Sequence, residues 1–330
     1  MAIAAGSHST YDEPIATGGN REDLSDILYD VSPTETPVLT GMGRTKATAT
    51  NHEWLQDALA AAAANAALEG GDMVGSDPAD RARCSNYTQI LTKNSVVPGT
   101  QEAVDKGGGI KSEMAYQMAR RIREIKRDAE FMIVGQTIAK GAGSESAARV
   151  AGSLDSYLKT NMQLAASGSS TLTGNGVDVS DYAGANRAID ETIFKEALSD
   201  IWDNSSGNDS LTAIVPSATK KVISGFTGAD ERFASTDDKK LVNTIDVYVG
   251  DFQTVRIVPD RFCKSIAGGA TSGGLAFILD WEYLKLAELR KLHTIDIATV
   301  GDATKKQLIW ECTLEVCHEK AHAVIGDLTT

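Results

Sequence analysis

The 330-residue chain has a formal net charge of −13, with 42% hydrophobic and 6% aromatic residues. That apolar share supports one large domain or two modest ones. The acidic balance argues against a dedicated nucleic-acid binder, whose affinity comes from neutralising phosphates, and against adhesion to anionic lipid.

Residues 1 to about 20 are small and polar without period, which predicts a flexible arm. The opening MAIAAGSHSTYDEP lacks the basic and apolar regions of a secretory leader. Arg21–Tyr29 predicts a short helical turn with Leu24, Ile27 and Leu28 on one side, broken by the prolines at 33 and 37. Arg44–Leu55 is Thr-rich and reads as a strand, with Arg81–Val97 as its return partner. Between them, eight alanines within Ala58–Ala67 predict a short helix at the tip, or a low-complexity tip. This excursion is long and poor in large apolar side chains, so it cannot support itself. It is expected to project and dock on a neighbouring molecule.

The strongest periodic signal runs from Ile110 to Lys140, where Met114, Met118, Ile122, Ile125, Ala129, Met132 and Gln136 recur at steps of three and four. Glycines at 107–109, 141 and 143 bracket it. The spacing predicts one amphipathic helix of about 45 Å. Its first half carries Arg120, Arg121, Arg123, Lys126 and Arg127, with Glu124, Asp128 and Glu130 interleaved. At i,i+4 this pairs Arg120 with Glu124 and Lys126 with Glu130, as on an ordinary solvated face. The second half, Phe131–Ile138, is apolar nearly all round and should lie buried under strands near Leu308–Val316. The period is nearer 3.6 than 3.5, which disfavours a coiled coil. The apolar run is too short to span a membrane.

From Ser144 to Asp190 only Leu154, Tyr157 and Leu158 suggest order. Thr192–Trp202 predicts a helix with Phe194, Ala197, Leu198, Ile201 and Trp202 in its stripe. Leu211–Val215 reads as a strand, and Ser217 as the cap of a helix bearing Val222, Ile223 and Phe226. Ile245–Val249 and Thr254–Val258 form a hairpin signature around Gly250-Asp251, and Leu275–Leu279 reads as a buried strand.

The closing segment, Gln307–Ile325, alternates, with Leu308, Trp310, Cys312, Leu314 and Val316 apolar and Glu311, Thr313 and Glu315 polar. It also contains His318-Glu-Lys-Ala-His322, which matches the zinc-protease motif. That chemistry needs a helix to bring both imidazoles to one metal, whereas on a strand they stand about 13 Å apart. No His or Glu follows His322 as a third ligand. The four cysteines, Cys84, Cys263, Cys312 and Cys317, form no CxxC pair and read as reduced thiols. No dinucleotide, P-loop, nucleophile-elbow or EF-hand pattern occurs. The expectation is a protein that is not an enzyme, without catalytic, cofactor-binding or metal residues and without a cofactor.

Six segments recur in one order: REDLSDILYDVSPTETPVL (Arg21–Leu39), NHEWLQDAL (Asn51–Leu59), NYTQILTKNSVVPGT (Asn86–Thr100), EIKRDAEFMIVG (Glu124–Gly135), GDFQTVRIVPDRF (Gly250–Phe262) and EKAHAVIGDLT (Glu319–Thr329). Together they resemble the major capsid proteins of tailed bacteriophages with the Hong Kong 97-type fold, in the subfamily typified by phage SU-ten. The resemblance covers roughly residues 20 to 330.

It implies an α+β chain in five parts: an N-terminal arm (1–43), an extended β-hairpin loop (44–100), a peripheral domain (101–167) with spine helix 110–140, an axial domain (168–295) and closing strands of the peripheral domain (296–330). It implies a self-assembling icosahedral shell of hexamers and pentamers enclosing double-stranded DNA without sequence-specific binding and without a membrane. Portal, cement and scaffold proteins are the further partners. The arm begins almost at once, so a scaffold is expected to be a separate protein. The prototype's Lys–Asn cross-link has no locating pattern here and is not carried over. The protein would be made in the host cytoplasm and end in the virion. Three rivals remain: an encapsulin-like nanocompartment, a zinc hydrolase resting only on His318–His322, and an unrelated tail or fibre protein.

Overall fold

The computed structural model describes residues 32–66, 69–71, 80–106, 109–165, 172–180, 182, 185–205, 209–226, 246–263, 274–298 and 300–329. Most of the expected arm, including the helical turn at Arg21–Tyr29, lies outside the described residues. The first element is a short helix, α1 (Pro37–Gly41), with Val38 and Leu39 buried.

The hairpin is shorter than its composition suggests. The predicted strand over Arg44–Leu55 is two strands, β1 (Gly43–Lys46) and β2 (Asn51–Gln56). Its return is likewise two, β3 (Ala82–Tyr87) and β4 (Gln89–Pro98). Only β2 and β3 pair with each other, antiparallel from Asn51↔Tyr87 to Gln56↔Ala82. Residues 57–66 form no helix and are exposed throughout. Alanine propensity alone does not hold a helix this short in water, and nothing packs on it to supply the difference.

A second short helix, α2 (Gly99–Ala103), leads to the long one, α3 (Glu113–Glu130). Ser112 Oγ caps α3 by accepting from Ala115 N–H at 3.3 Å, and Glu102 Oε2 accepts from Glu113 N–H at 2.9 Å. The helix widens into a π-turn over Phe131–Gly135 and then stops, with Gln136 extended. It therefore ends before Lys140 and spans about 35 Å rather than 45 Å. The cause is local. Phe131 lies so close to Gly135 that any Cβ there would collide with its ring. Beyond it the backbone finds other partners: Ile138 N–H donates to Ser153 Oγ and Lys140 N–H to the Gly176 carbonyl. Met132, Ile133 and Val134 are buried as expected, but Phe131 is 43% exposed.

The remaining helices are α4 (Glu191–Asn204), capped by Asp190, and α5 (Ser217–Ile223). Pro216, not Ser217, occupies the cap position of α5, and Ser217 is its first residue. Val222 on α5 is 41% exposed while Ile223 is fully buried.

The later strands are β5 (Met162–Gln163), β6 (Ser210–Val215), β7 (Val247–Val249), β8 (Thr254–Pro259), β9 (Gly274–Leu279), β10 (Leu284–Ile297), β11 (Ala303–Val316) and β12 (Ala323–Leu328). Strand β10 was not expected from the sequence. Its register against β11 shifts twice, between Glu288 and His293, which blurs the alternation that would reveal it. A four-stranded sheet runs β1-β10-β11-β4 and a six-stranded sheet runs β5-β12-β9-β6-β8-β7. The closing segment is thus divided: β11 joins the first sheet and β12 the second.

Two hydrophobic cores form: the first joins the four-stranded sheet to one face of the six-stranded sheet through Ile214, Phe277, Leu279 and Val324, and the second lies on the other face of that sheet. In one, Ile125, Ala129, Met132, Ile133 and Val134 pack with Leu308, Trp310, Cys312, Leu314 and Val316, together with Leu154, Tyr157 and Leu158. In the other, Phe194, Ala197, Leu198 and Ile201 of α4 pack with Leu211, Val255, Ile278 and Ile325. The polar positions of β11 are buried as well: Glu311, Thr313 and Glu315 lie under the hairpin and its neighbours.

Candidate assembly surfaces

The His318–His322 motif is the sequence's one hint of chemistry. A 3-10 turn, Glu319–Ala321, separates the two histidines where the zinc motif needs an α-helix. His318 stands edge-on to Tyr283, with ring centroids 5.5 Å apart. His322 is fully buried, and its Nδ1 accepts from Asp280 N–H at 3.2 Å. Burial pushes the His322 imidazole down to about 4, which keeps it neutral at physiological pH. Among the described residues no three His, Cys, Asp or Glu side chains come together as a metal site. No described helix is long and apolar enough to cross a membrane.

Four free cysteines are present, and Cys84, Cys263 and Cys312 are buried. Burial raises all four thiols, Cys317 included, so none is primed as a nucleophile. Buried polarity serves architecture instead. Glu311 accepts from Arg149 and Arg290, each at 2.6 Å, and from Thr88 Oγ1 at 3.0 Å. One carboxylate thereby ties β10, β11, the β3–β4 junction and the loop that follows α3. Asp155 takes the Ser153 hydroxyl at 2.5 Å, and burial lifts it to about 6.

The hairpin β2–β3 is stapled to its own chain along its length, as far as Gln56 at the end that leads into the tip. Trp54 stacks at a tilt on Tyr157, with centroids 5.9 Å apart. His52 Nε2 meets Glu315 Oε2 at 3.0 Å, and Gln56 Nε2 donates to the Val316 and Cys317 carbonyls at 3.3 and 3.0 Å. Asn86 Nδ2 donates to the Leu314 carbonyl at 2.9 Å, while Lys140 Nζ donates to the Ser85 carbonyl at 2.8 Å. Among the described tip residues none has such an anchor, and Leu59 is 99% exposed.

A second apolar patch lies at the free edge of the six-stranded sheet. Trp202, expected in the buried stripe of α4, is instead half exposed and stacks on Phe252 at 5.6 Å. Val247 and Val249 on β7 are exposed too, on the face of that strand opposite Tyr248, which packs on Phe194 of α4. A cleft of about 550 Å³ opens where α3 starts against β4, β10 and β11, lined by Val97, Met114, Met118, Thr294, Lys306 and Glu102. Its carboxylate, Glu102, is already engaged in capping α3.

Glu130 departs most from the sequence reading. It pairs with no lysine. It is fully buried, and its two oxygens accept from Val38 N–H at 2.8 Å and Leu39 N–H at 2.7 Å. Burial pushes it up to about 7 against those two hydrogen bonds, with nearby Asp260 adding to the rise. The other expected pair is also absent, since Glu124 joins Arg121 at 2.6 Å and not Arg120.

Comparison with known proteins accords with surfaces built for association. The family model described as SU10 major capsid protein matches residues 8–329. Among solved structures, a cyanophage A-1(L) capsid subunit superposes with a TM-score of 0.66 at 13% identity, covering 96% of this chain and 99% of its own. The chain recorded for Gordonia phage Cozz gives 0.60 at 14% identity, over 99% and 97%. The capsid of a native GTA particle gives 0.62 at 12% identity, over the whole of both chains. Identities this low speak for the fold alone. No curated protein matches the sequence.

Proposed function

Because the chain belongs to the SU10 major capsid protein family, we propose that it assembles as hexamers and pentamers into the icosahedral head shell of a tailed bacteriophage, around double-stranded DNA. The observation that carries this reading is the family match across residues 8–329. Capsid subunits sharing the fold over essentially the full chain support it.

The work is association rather than catalysis. Residues 44–100 act as the extended loop over an adjacent subunit, with the anchored strands of the hairpin as the support and the exposed tip beyond Gln56 as the contact. Residues 1–43 form the arm. Residues 101–167 and 296–330 form the peripheral domain, and 168–295 the axial domain that gathers at capsomer centres. The Trp202–Phe252 patch then faces the neighbouring copy around that centre. A portal protein, and a cement or separate scaffold protein, complete the particle. DNA is enclosed without sequence readout. Synthesis takes place in the host cytoplasm and the product resides in the virion.

The encapsulin-like alternative shares the fold class but is not favoured, since the matching family is one of phage capsid proteins. The hydrolase reading loses its helix to the turn at Glu319–Ala321. Electron microscopy of the purified recombinant protein is the direct test. Regular closed shells are expected; monomers at every concentration and salt, with or without a scaffold, overturn the reading.

A further inference from the structure

The long helix α3 carries exposed cations that its own carboxylates do not neutralise. Arg120, Arg123 and Lys126 are exposed and, at steps of three, wind from the side of α3 opposite buried Ile125 and Ala129 round to the margin of that buried face. Each carboxylate of that stretch is engaged elsewhere. Glu124 is held by Arg121 at 2.6 Å, and Asp128 by Lys93 at 2.7 Å. Glu130 is buried on the α1 backbone. Arg120 lies over the Tyr116 ring at 6.0 Å, an arrangement that leaves its charge outward. Arg123, which has a contact of its own within the chain, stands between Arg120 and Lys126. The result is a positive ridge on a chain of net charge −13.

We propose that this ridge is a phosphate-contacting surface for the packaged DNA, which makes α3 a lining element of the shell. The inference rests on the shell reading above. Arg120 and Lys126 are about 9 Å apart along the helix axis. That covers two to three base-pair steps of about 3.4 Å, so the two cations meet different phosphates. The contact is to backbone charge and carries no sequence information. The acidic remainder of the chain repels DNA, so the ridge fixes which face the duplex approaches.

The test uses the full chain, kept unassembled at low concentration, with a short random-sequence DNA duplex as the probe. Affinity is read by fluorescence anisotropy across a salt series. The R120Q/K126Q variant is expected to lose on the order of tenfold in affinity at low salt, with a log–log salt slope shallower by about two. The K221Q/K291Q variant carries the same net charge change at exposed positions away from the ridge and should bind like the wild type. Electron microscopy of all three proteins forms the second arm. Equal DNA affinity for wild type and R120Q/K126Q, or no wild-type binding at low salt, overturns the ridge. So does a variant that fails to assemble yet binds DNA normally, since the ridge then serves a neighbouring copy. Absence of wild-type shells overturns the shell reading instead, whatever the duplex does.

Discussion

Glu130 Oε2 accepts the Leu39 N–H at 2.7 Å, joining the last residue of α3 to a helix 91 positions upstream. The bond is a tertiary cap, in which a buried side chain satisfies N–H groups that α1 cannot satisfy for itself.

That cap has a pH signature. Burial raises Glu130 from its ordinary 4.5 to about 7, so the folded chain holds a proton that the unfolded chain has released. The contribution is fully present below about 4.5 and is lost as pH rises through about 7. It amounts to about 3 kcal/mol across the window. Relative to E130Q, the wild type should therefore gain stability as pH falls from 7 to 4.5. Urea denaturation of unassembled subunits at several pH values measures this, and parallel curves for the two proteins would refute it. E130A, which removes the acceptor altogether, should lie about 1–3 kcal/mol below E130Q at any pH.

His322 acts in the opposite sense. Its imidazole is held down at about 4 against an ordinary 6.5, so the unfolded chain binds the proton first. Its share of stability is complete above about 6.5 and drains away as pH falls towards 4, by about 3 kcal/mol in all. H322N keeps an acceptor for Asp280 N–H but does not titrate. It should be less stable at pH 7 and should flatten the acid limb of the profile. Retention of the wild-type acid slope in H322N would assign that slope to another group.

Deleting residues 58–71 should leave the subunit folded and impair shell formation. The described tip residues are exposed, whereas the paired strands of the hairpin are held along their length through His52, Trp54 and Gln56. W54A should do the reverse, lowering subunit stability by about 2–4 kcal/mol through lost packing on Tyr157. Thermal melts and electron microscopy on both variants separate the two effects. A deletion that unfolds the monomer would show that the tip belongs to the fold.

The aromatic patch predicts an assembly defect without a folding defect. W202A and F252A remove side chains that are about half exposed, so subunit stability should change by less than about 1 kcal/mol. If the patch meets a neighbouring copy, each should raise the concentration needed for shells by on the order of tenfold. Light-scattering assembly curves read this directly, and unchanged thresholds would remove the patch from the interface.

What could be read from the chain followed from periodicity. The start of α3, the capped α4, the β7–β8 hairpin and buried β9 declare themselves within a few residues of their observed positions, whereas the end of α3 falls well before Lys140. The misses were non-local. Glu130 looks like the acidic half of an i,i+4 pair, and only the fold reveals that the α1 backbone takes it. Trp202 continues an apolar stripe, yet lies one step past the buried face. Glu311 occupies a polar alternation position that solvent should reach. Instead Arg149 and Arg290, from 162 and 21 positions away, close over it. Strand β10 is hidden by register shifts that break its alternation. The assembly surfaces were legible mainly as an imbalance, a hairpin too long for its own apolar content.

The order of strands also sets a schedule. In one sheet β11 lies between β10 and β4, and in the other β12 lies between β5 and β9. A nascent chain that stops short of Ala303 therefore lacks an interior strand of both sheets. It can complete neither core, however well its earlier helices form. Truncated products are thereby barred from the shell, since the surfaces that would join them to neighbours depend on cores finished last. The last 28 residues are thus as necessary to a finished subunit as the long helix.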